Sequence, residues 1–344
     1  MPAAGVELDP SKPDAPRTSP SRLETFGTCP RKFFFRYGLG IYPPVEHVVD
    51  HDQWLDALQL GSLLHEVFED FLRELTPEER APELVRDKDN LLKLLHAKIE
   101  VCRQSMPVPN QDAYERQLQR LEKTCETFLR NEEEHCKSTG SVPWILEASI
   151  GLGDDPASVV DSAEPVSLTL SDGRTIKVGG RIDRIDRLGG DGVVDFSIWD
   201  YKSGSAWGFN AADPFRQGRK LQPYLYARML RHRLVAAVAP EAKVNYFGYF
   251  FPGPKTDGLR LQWTSGELSS GDEIVGYMCD AISAGSFIAT NEKSDCKFCD
   301  YLPICGCAET TAGSSLVQLE GCDVAALNPV RALRDVLLEE APPF

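Results

Sequence analysis

Gly179-Gly180-Arg181-Ile182-Asp183-Arg184-Ile185-Asp186 and Asp200-Tyr201-Lys202-Ser203-Gly204 decide the fold of this chain, and 17 positions separate Asp183 from Asp200. The apolar run Val193-Val194-Asp195-Phe196-Ser197-Ile198-Trp199 lies between them and reads as a strand. Gly189-Gly190-Asp191-Gly192 reads as the turn that folds this strand back on the one holding Asp183. With Asp183 ending one antiparallel strand and Asp200 ending the next, the two carboxylates come near each other. Strand alternation puts Asp200 and Lys202 on one face. Two carboxylates suit a hard, oxygen-seeking ion such as Mg²⁺ or Mn²⁺. Such an ion polarises a phosphate and helps make hydroxide from water. Lys202 adds a compact positive charge beside the attacking water or the pentavalent phosphate. The pattern therefore points to phosphodiester cleavage.

Upstream, residues 21–37 have helical character, and residues 54–75 are a stronger amphipathic helix: Leu60, Leu63, Leu64, Val67, Phe68, Phe71, Leu72 and Leu75 recur at spacings of three and four. Further helices are expected over Leu91–Val101 and over the stretch holding Tyr114 to Leu129, so about 52–136 is a helical region. Strands are expected at 144–147, 166–170, 176–178, 182–185, 193–199, 244–251 and 259–263, which makes about 142–263 a sheet region. Helices are expected at 219–234 and 272–284. Residues 308–344 read as a peripheral tail with one short helix near 331–339. Residues 1–20, rich in Pro, Ala and Ser, read as a disordered leader.

The 344 residues can bury a sizeable core. No apolar run approaches the roughly 18 residues that span a bilayer, and the N-terminus has no apolar signal core, so a cytoplasmic protein is expected. The net charge of −15 is unevenly spread: residues 50–135 hold 20 acidic and 11 basic side chains. Basic groups cluster at Arg31, Lys32 and Arg36, at Arg216, Arg219 and Lys220, and at Arg228, Arg231 and Arg233. An acidic body with local basic strips is compatible with a polyanion held in one groove, with Arg31, Lys32, Arg216, Arg219 and Lys220 as candidate contacts. No Gly-x-x-x-x-Gly-Lys-Ser/Thr loop occurs in the sequence, so ATP-driven unwinding would come from another chain.

Ten cysteines without a secretion signal argue for metal or redox use. Cys296, Cys299 and Cys305 are spaced to surround one tetrahedral centre, and a fourth ligand is wanted. Cys307 could supply it. On spacing alone, zinc takes four thiolates as readily as iron does.

Read in order, Gly-Ser-Leu-Leu-His65-Glu, Glu147, Gly-x-x-Asp183, Asp200-x-Lys202-Ser-Gly and Gln222-Pro-Tyr-Leu-Tyr226 resemble the PD-(D/E)xK nuclease superfamily, in its RecB/AddB-type exonuclease branch. The resemblance covers most of residues 21–307. It implies an α/β fold, restriction-endonuclease-like, whose mixed β-sheet core is flanked by helices. It implies a metal shell of His65, Asp183, Asp200 and the Tyr201 carbonyl, with Glu147 and Lys202 as catalytic groups. Gln222 and Tyr226, one helical turn apart, would orient the site or the DNA strand; alternatively, Tyr226 packs its helix onto the sheet. One branch of these nucleases holds a [4Fe-4S] cluster with an N-terminal cysteine and a C-terminal triplet. That implies Cys29, 267 positions before Cys296, as the fourth ligand of an iron–sulfur staple. Closing so long a loop restricts the unfolded chain.

The expected function is a Mg²⁺- or Mn²⁺-dependent deoxyribonuclease acting on single strands or DNA ends, in repair, recombination or defence, in company with a helicase or other machine. A catalytically silent, cluster-stapled DNA-binding module is the alternative.

Overall fold

The computed structural model describes residues 5, 7–44, 52–189 and 194–335. Two short helices, α1 (Pro20–Thr28) and α2 (Pro30–Phe33), precede the long ones. Cys29 separates them in an extended conformation, and Pro30 starts the second helix, so the helical character expected over 21–37 is divided there. Three long helices follow: α3 (Ala57–Leu75), α4 (Leu84–Ser105) and α5 (Gln111–Thr139). Asp56 starts α3 with a capping box: its carboxylate accepts the Leu58 and Gln59 N–H groups while the Gln59 side chain accepts the Asp56 N–H. The apolar stripe of α3 is buried, and Phe68 stacks on Phe128 of α5 with centroids 3.9 Å apart. Truncating the wholly buried Phe128 to alanine would cost about 3–5 kcal/mol.

The strands are β1 (Val142–Ile150), β2 (Val166–Thr169), β3 (Thr175–Val178), β4 (Gly180–Leu188), β5 (Asp195–Tyr201), β6 (Lys243–Phe251) and β7 (Leu259–Thr264). The main sheet runs β1-β4-β5-β6-β7, antiparallel except for the parallel β5–β6 pair. Helix α6 (Gln222–Ala237) is the crossover between those parallel strands. β2 and β3 form their own two-stranded sheet beside it. The fold is thus the mixed α/β sheet flanked by helices that the resemblance implied. Of the turn expected at 189–192, residues 190–192 lie outside the described residues, as does Val193 of the strand expected after it. The strands on either side pair antiparallel with Arg184 opposite Trp199.

Two apolar cores sandwich the sheet. On one face Leu146, Trp199, Tyr201 and Phe250 meet α3, α4 and α5. On the other, Ile182, Ile198, Phe247 and Phe251 meet α1, α6 and α7 (Gly271–Ser283). Gly248 on β6 makes room for Trp199, since a Cβ there would lie 2.2 Å from the indole ring.

Both chain ends depart from expectation within the described residues. Asp9, Ala15 and Thr18 are buried, and the Thr18 N–H donates to the Lys177 carbonyl at 2.8 Å, so this part of the leader is held against β3. After a short turn of helix, α8 (Leu302–Cys305), the tail forms α9 (Ala308–Gly321) and α10 (Asn328–Arg334). Leu319, Val330 and Leu333 join the core, and the buried Arg334 donates to the Gly27 and Thr28 carbonyls, so this segment is packed rather than peripheral. Of the helix expected near 331–339, residues 336–339 lie outside the described residues.

Candidate active site

Asp183 is the fourth residue of β4, within the strand rather than at its end, and Asp200 is the penultimate residue of β5. The register places them on adjacent strands, and Asp183 Oδ2 accepts the Tyr201 N–H at 3.0 Å. His65 comes from α3 across the helical layer. Its Nδ1 lies 3.4 Å from Asp183 Oδ2 and its Nε2 3.1 Å from the Tyr201 carbonyl oxygen. Glu147 comes from β1. Its φ of +52° is left-handed, an uncommon conformation for a residue with a side chain. The ladder pairs Leu146 with Arg184 and Ala148 with Ile182, on either side of it. The register stays continuous across this position, which sets Glu147 opposite Asp183. One ligand atom each from His65, Glu147 and Asp183 lie within 4.8 Å of one another, so this trio could hold a metal ion.

The electrostatics agree with that use. Burial, then the Asp200 charge and, more weakly, Glu147, raise the Asp183 carboxyl well above its ordinary range. Burial, with Glu69 next, pushes Glu147 up to about 7. Burial alone would lower the Lys202 ammonium, but Asp200, Asp183 and Glu24 raise it. Lys202 pairs directly with the buried Oδ2 of Asp200. Carboxylates outnumber cations here, and each such charge costs free energy unless a further positive charge enters. The donor set, imidazole plus carboxylates plus a carbonyl, fits a hard divalent cation.

Helix α6 closes the other side. Gln222 Oε1 accepts from Lys202 Nζ at 3.4 Å and from the Tyr249 hydroxyl at 3.3 Å. Tyr226 packs its ring on Gly180, where a Cβ would lie 2.9 Å from it; that contact explains the second glycine of the Gly179-Gly180 pair. Its hydroxyl also faces Asp200 and Asp183, so packing and proximity to the site go together.

The basic candidates do not form one strip. Arg219 pairs with Asp295 at 2.9 Å, and Lys32 lines the cysteine pocket. Arg31 and Arg216 border two other clefts. Lys220 is recessed beside Glu24, and burial lowers its ammonium. Arg228 and Arg233 bond to Asp272 and to backbone carbonyls.

Cys29, Cys296, Cys299 and Cys305 line one pocket. Cys307 is exposed and its thiol donates to Glu309 at 3.1 Å. Burial raises the Cys29 thiol, against backbone N–H groups of Lys32, Thr290 and Arg31 that favour a thiolate. Burial and the other three cysteines push Cys296 up to about 11.

Several contributors carried no separable signal in the sequence. Glu69 and Arg181 line the cleft with His65. Glu24 sits on α1 as one acidic residue of an ordinary amphipathic helix, yet it reaches the first turn of α6. Arg184 and Glu132 form a wholly buried ion pair behind Asp183, at 2.7 Å.

Comparison with known proteins points to the same family. A family model described as the PD-(D/E)XK nuclease superfamily matches residues 17–306. One subunit of an ATP-dependent helicase/deoxyribonuclease from Bacillus mycoides (strain KBAB4) is 31% identical over 198 residues, covering 56% of this chain and 16% of that relative. Proteins of the same name match in Alkaliphilus oremlandii, at 30% over 193 residues (55% and 16%), and in Alkaliphilus metalliredigens, at 29% over 215 residues (61% and 17%). The chain thus spans about a sixth of the length of these relatives. With the family model covering most of its length, the chain belongs to the PD-(D/E)XK nuclease superfamily.

Proposed function

We propose that this protein is a divalent-metal-dependent deoxyribonuclease, acting on single strands or DNA ends in repair, recombination or defence. The observation that carries this reading is the convergence of His65, Glu147 and Asp183 on one point beside an Asp200–Lys202 pair. His65, Asp183, Asp200 and the Tyr201 carbonyl would hold Mg²⁺ or Mn²⁺. A cation bound there would supply polarisation of the scissile phosphate and of an attacking water. Glu147, opposite Asp183, is placed to take a proton from that water. Lys202 offers its charge to the developing phosphorane, held by Asp200 and Gln222. The helicase named in the relatives supports a partnership with a helicase that delivers the strand.

We assign the cysteine pocket to a [4Fe-4S] cluster held by Cys29, Cys296, Cys299 and Cys305. The four thiols line one pocket, which supports a shared group, and the family resemblance, not their spacing, favours iron–sulfur over zinc. Anaerobically purified protein is expected to be brown, and Cys299→Ser to lose both colour and solubility; colourless protein with stoichiometric zinc would reverse the assignment.

End-labelled single- and double-stranded DNA, incubated with Mg²⁺ or Mn²⁺ and with chelator, tests the main reading. Cleavage is expected with metal only, and Lys202→Ala is expected to lose at least about 10²-fold in rate while folding normally. Cleavage by Lys202→Ala at the wild-type rate would sink it. Salt-sensitive DNA binding without any product would favour the silent binding module.

A further inference from the structure

Glu24 of α1 reaches a part of the site that none of the motif residues controls. Its Oε1 accepts the backbone N–H of Leu221 at 2.6 Å and of Gln222 at 2.9 Å. Those groups open α6, whose cap residue, Leu221, supplies no side-chain hydrogen bond. A helix start leaves several N–H groups without partners and carries partial positive charge, so a carboxylate is a fitting counterpart. Gln222 in turn accepts from Lys202 Nζ through its side chain. A continuous path therefore runs from Glu24 through the first turn of α6 to the lysine of the site. Lys202 and Lys220 also face Glu24 across the same recess. Leu23 and Phe26, buried on the same helix, supply the packing of α1, so its docking does not need the carboxylate.

We propose that Glu24 is a positioning residue for the cleavage reaction. It docks the start of α6 so that Gln222 holds the Lys202 ammonium beside Asp200. This inference rests on the nuclease reading and deepens it.

The test uses the full chain. In single-turnover cleavage of end-labelled single-stranded DNA with Mn²⁺, Glu24→Ala is expected to slow cleavage about 10- to 100-fold, with DNA affinity within about twofold. Glu24→Gln keeps an acceptor for both N–H groups and is expected to stay within about threefold of wild type. Because Glu24 acts through Gln222, the double variant Glu24→Ala/Gln222→Ala should cleave no more slowly than Gln222→Ala alone. Should Glu24→Ala fail to fold, Glu24→Met, which keeps the length and the apolar stem, takes its place in the cycle. Independently of activity, amide exchange at Leu221 and Gln222 should quicken at least about tenfold in the Ala or Met variant, while Leu225–Leu234 keep their protection. Multiplicative effects, Glu24→Gln as slow as Glu24→Ala, or unchanged exchange at Leu221 and Gln222 would each overturn the proposal. Lys202→Ala and chelator are run alongside. If they leave cleavage intact, the nuclease reading fails; if they abolish it while Glu24→Ala cuts normally, only this inference fails.

Discussion

Consecutive residues of β4 face two different assemblies of charge. Asp183 looks into the cleft, among Asp200, Glu147 and the ammonium of Lys202. Arg184 looks the opposite way, where it meets Glu132 of α5 and Asp186 of its own strand at 2.7 and 2.6 Å. Arg260 completes that second group, pairing with Glu132 at 2.6 Å and lying over the Trp199 and Phe250 rings. The rear group has two cations for two carboxylates, and Arg184, Glu132 and Asp186 are wholly buried. Burial alone would raise Glu132, yet Arg184 and Arg260 bring it down to about 2. On the cleft side the balance is negative, and the same physics drives Asp183 and Glu147 upward. Closed neutrality fastens α5 to the sheet. Unbalanced negative charge in an open cleft is what a bound cation would offset.

That contrast can be broken from either side. Arg184→Met leaves two buried carboxylates short of a partner, and the expected loss is about 3–5 kcal/mol of stability by urea unfolding. A loss under about 1 kcal/mol would show that the rear group is not a structural clamp. Asp183→Asn should do the reverse. Cleavage is expected to fall about 10²- to 10³-fold, whereas the melting temperature in chelator holds or rises because a like-charge contact is gone.

The two faces should also respond oppositely to pH. Glu132 lies below its ordinary value of about 4.3, so its stabilising contribution is complete above about 4.3 and is lost as pH falls toward about 2. Glu147 lies above it, so the folded state binds its proton more tightly, and stability is lost as pH rises from about 4.3 through about 7. In chelator, Glu147→Gln should reduce the second slope, to which the raised Asp183 also contributes, and leave the acid limb alone. An unchanged slope between pH 5 and 8 would show that Glu147 titrates normally. The smallest expected effect belongs to Tyr201, which serves both faces: its hydroxyl accepts from Arg184 at 3.2 Å while its carbonyl faces His65. Tyr201→Phe should cost about 1 kcal/mol of stability and leave cleavage within about twofold, because the carbonyl is untouched.

Much of the cleft side was legible because each residue stands in a short local pattern. Asp200-x-Lys202 follows an apolar strand, Gly180 precedes Asp183, and His65 lies on the strongest amphipathic helix. The rear side was not legible. Nothing in the local sequence marks Arg184 and Asp186 as buried, and only the packing of α5, with Glu132 more than 40 positions earlier, makes them core residues. Glu24 was missed for the same reason: its partners are backbone N–H groups nearly 200 positions away, which no side-chain motif encodes. The basic clusters show the converse, since local density of Arg and Lys did not foretell that Arg219, Arg228 and Arg233 would be spent on internal pairs.

The sequence by itself determined the elements and the chemistry they carry. Periodicity set the helices and strands, and the ordered motifs named a carboxylate–lysine site and a cysteine set. Tertiary structure alone decided which way each charge faces. Consecutive residues of β4 point to opposite faces, but only long-range packing decides which face becomes core and which becomes cleft. That choice is made by burial and by contacts between distant segments, so the same residue types become a neutral clamp on one face and a reactive cleft on the other.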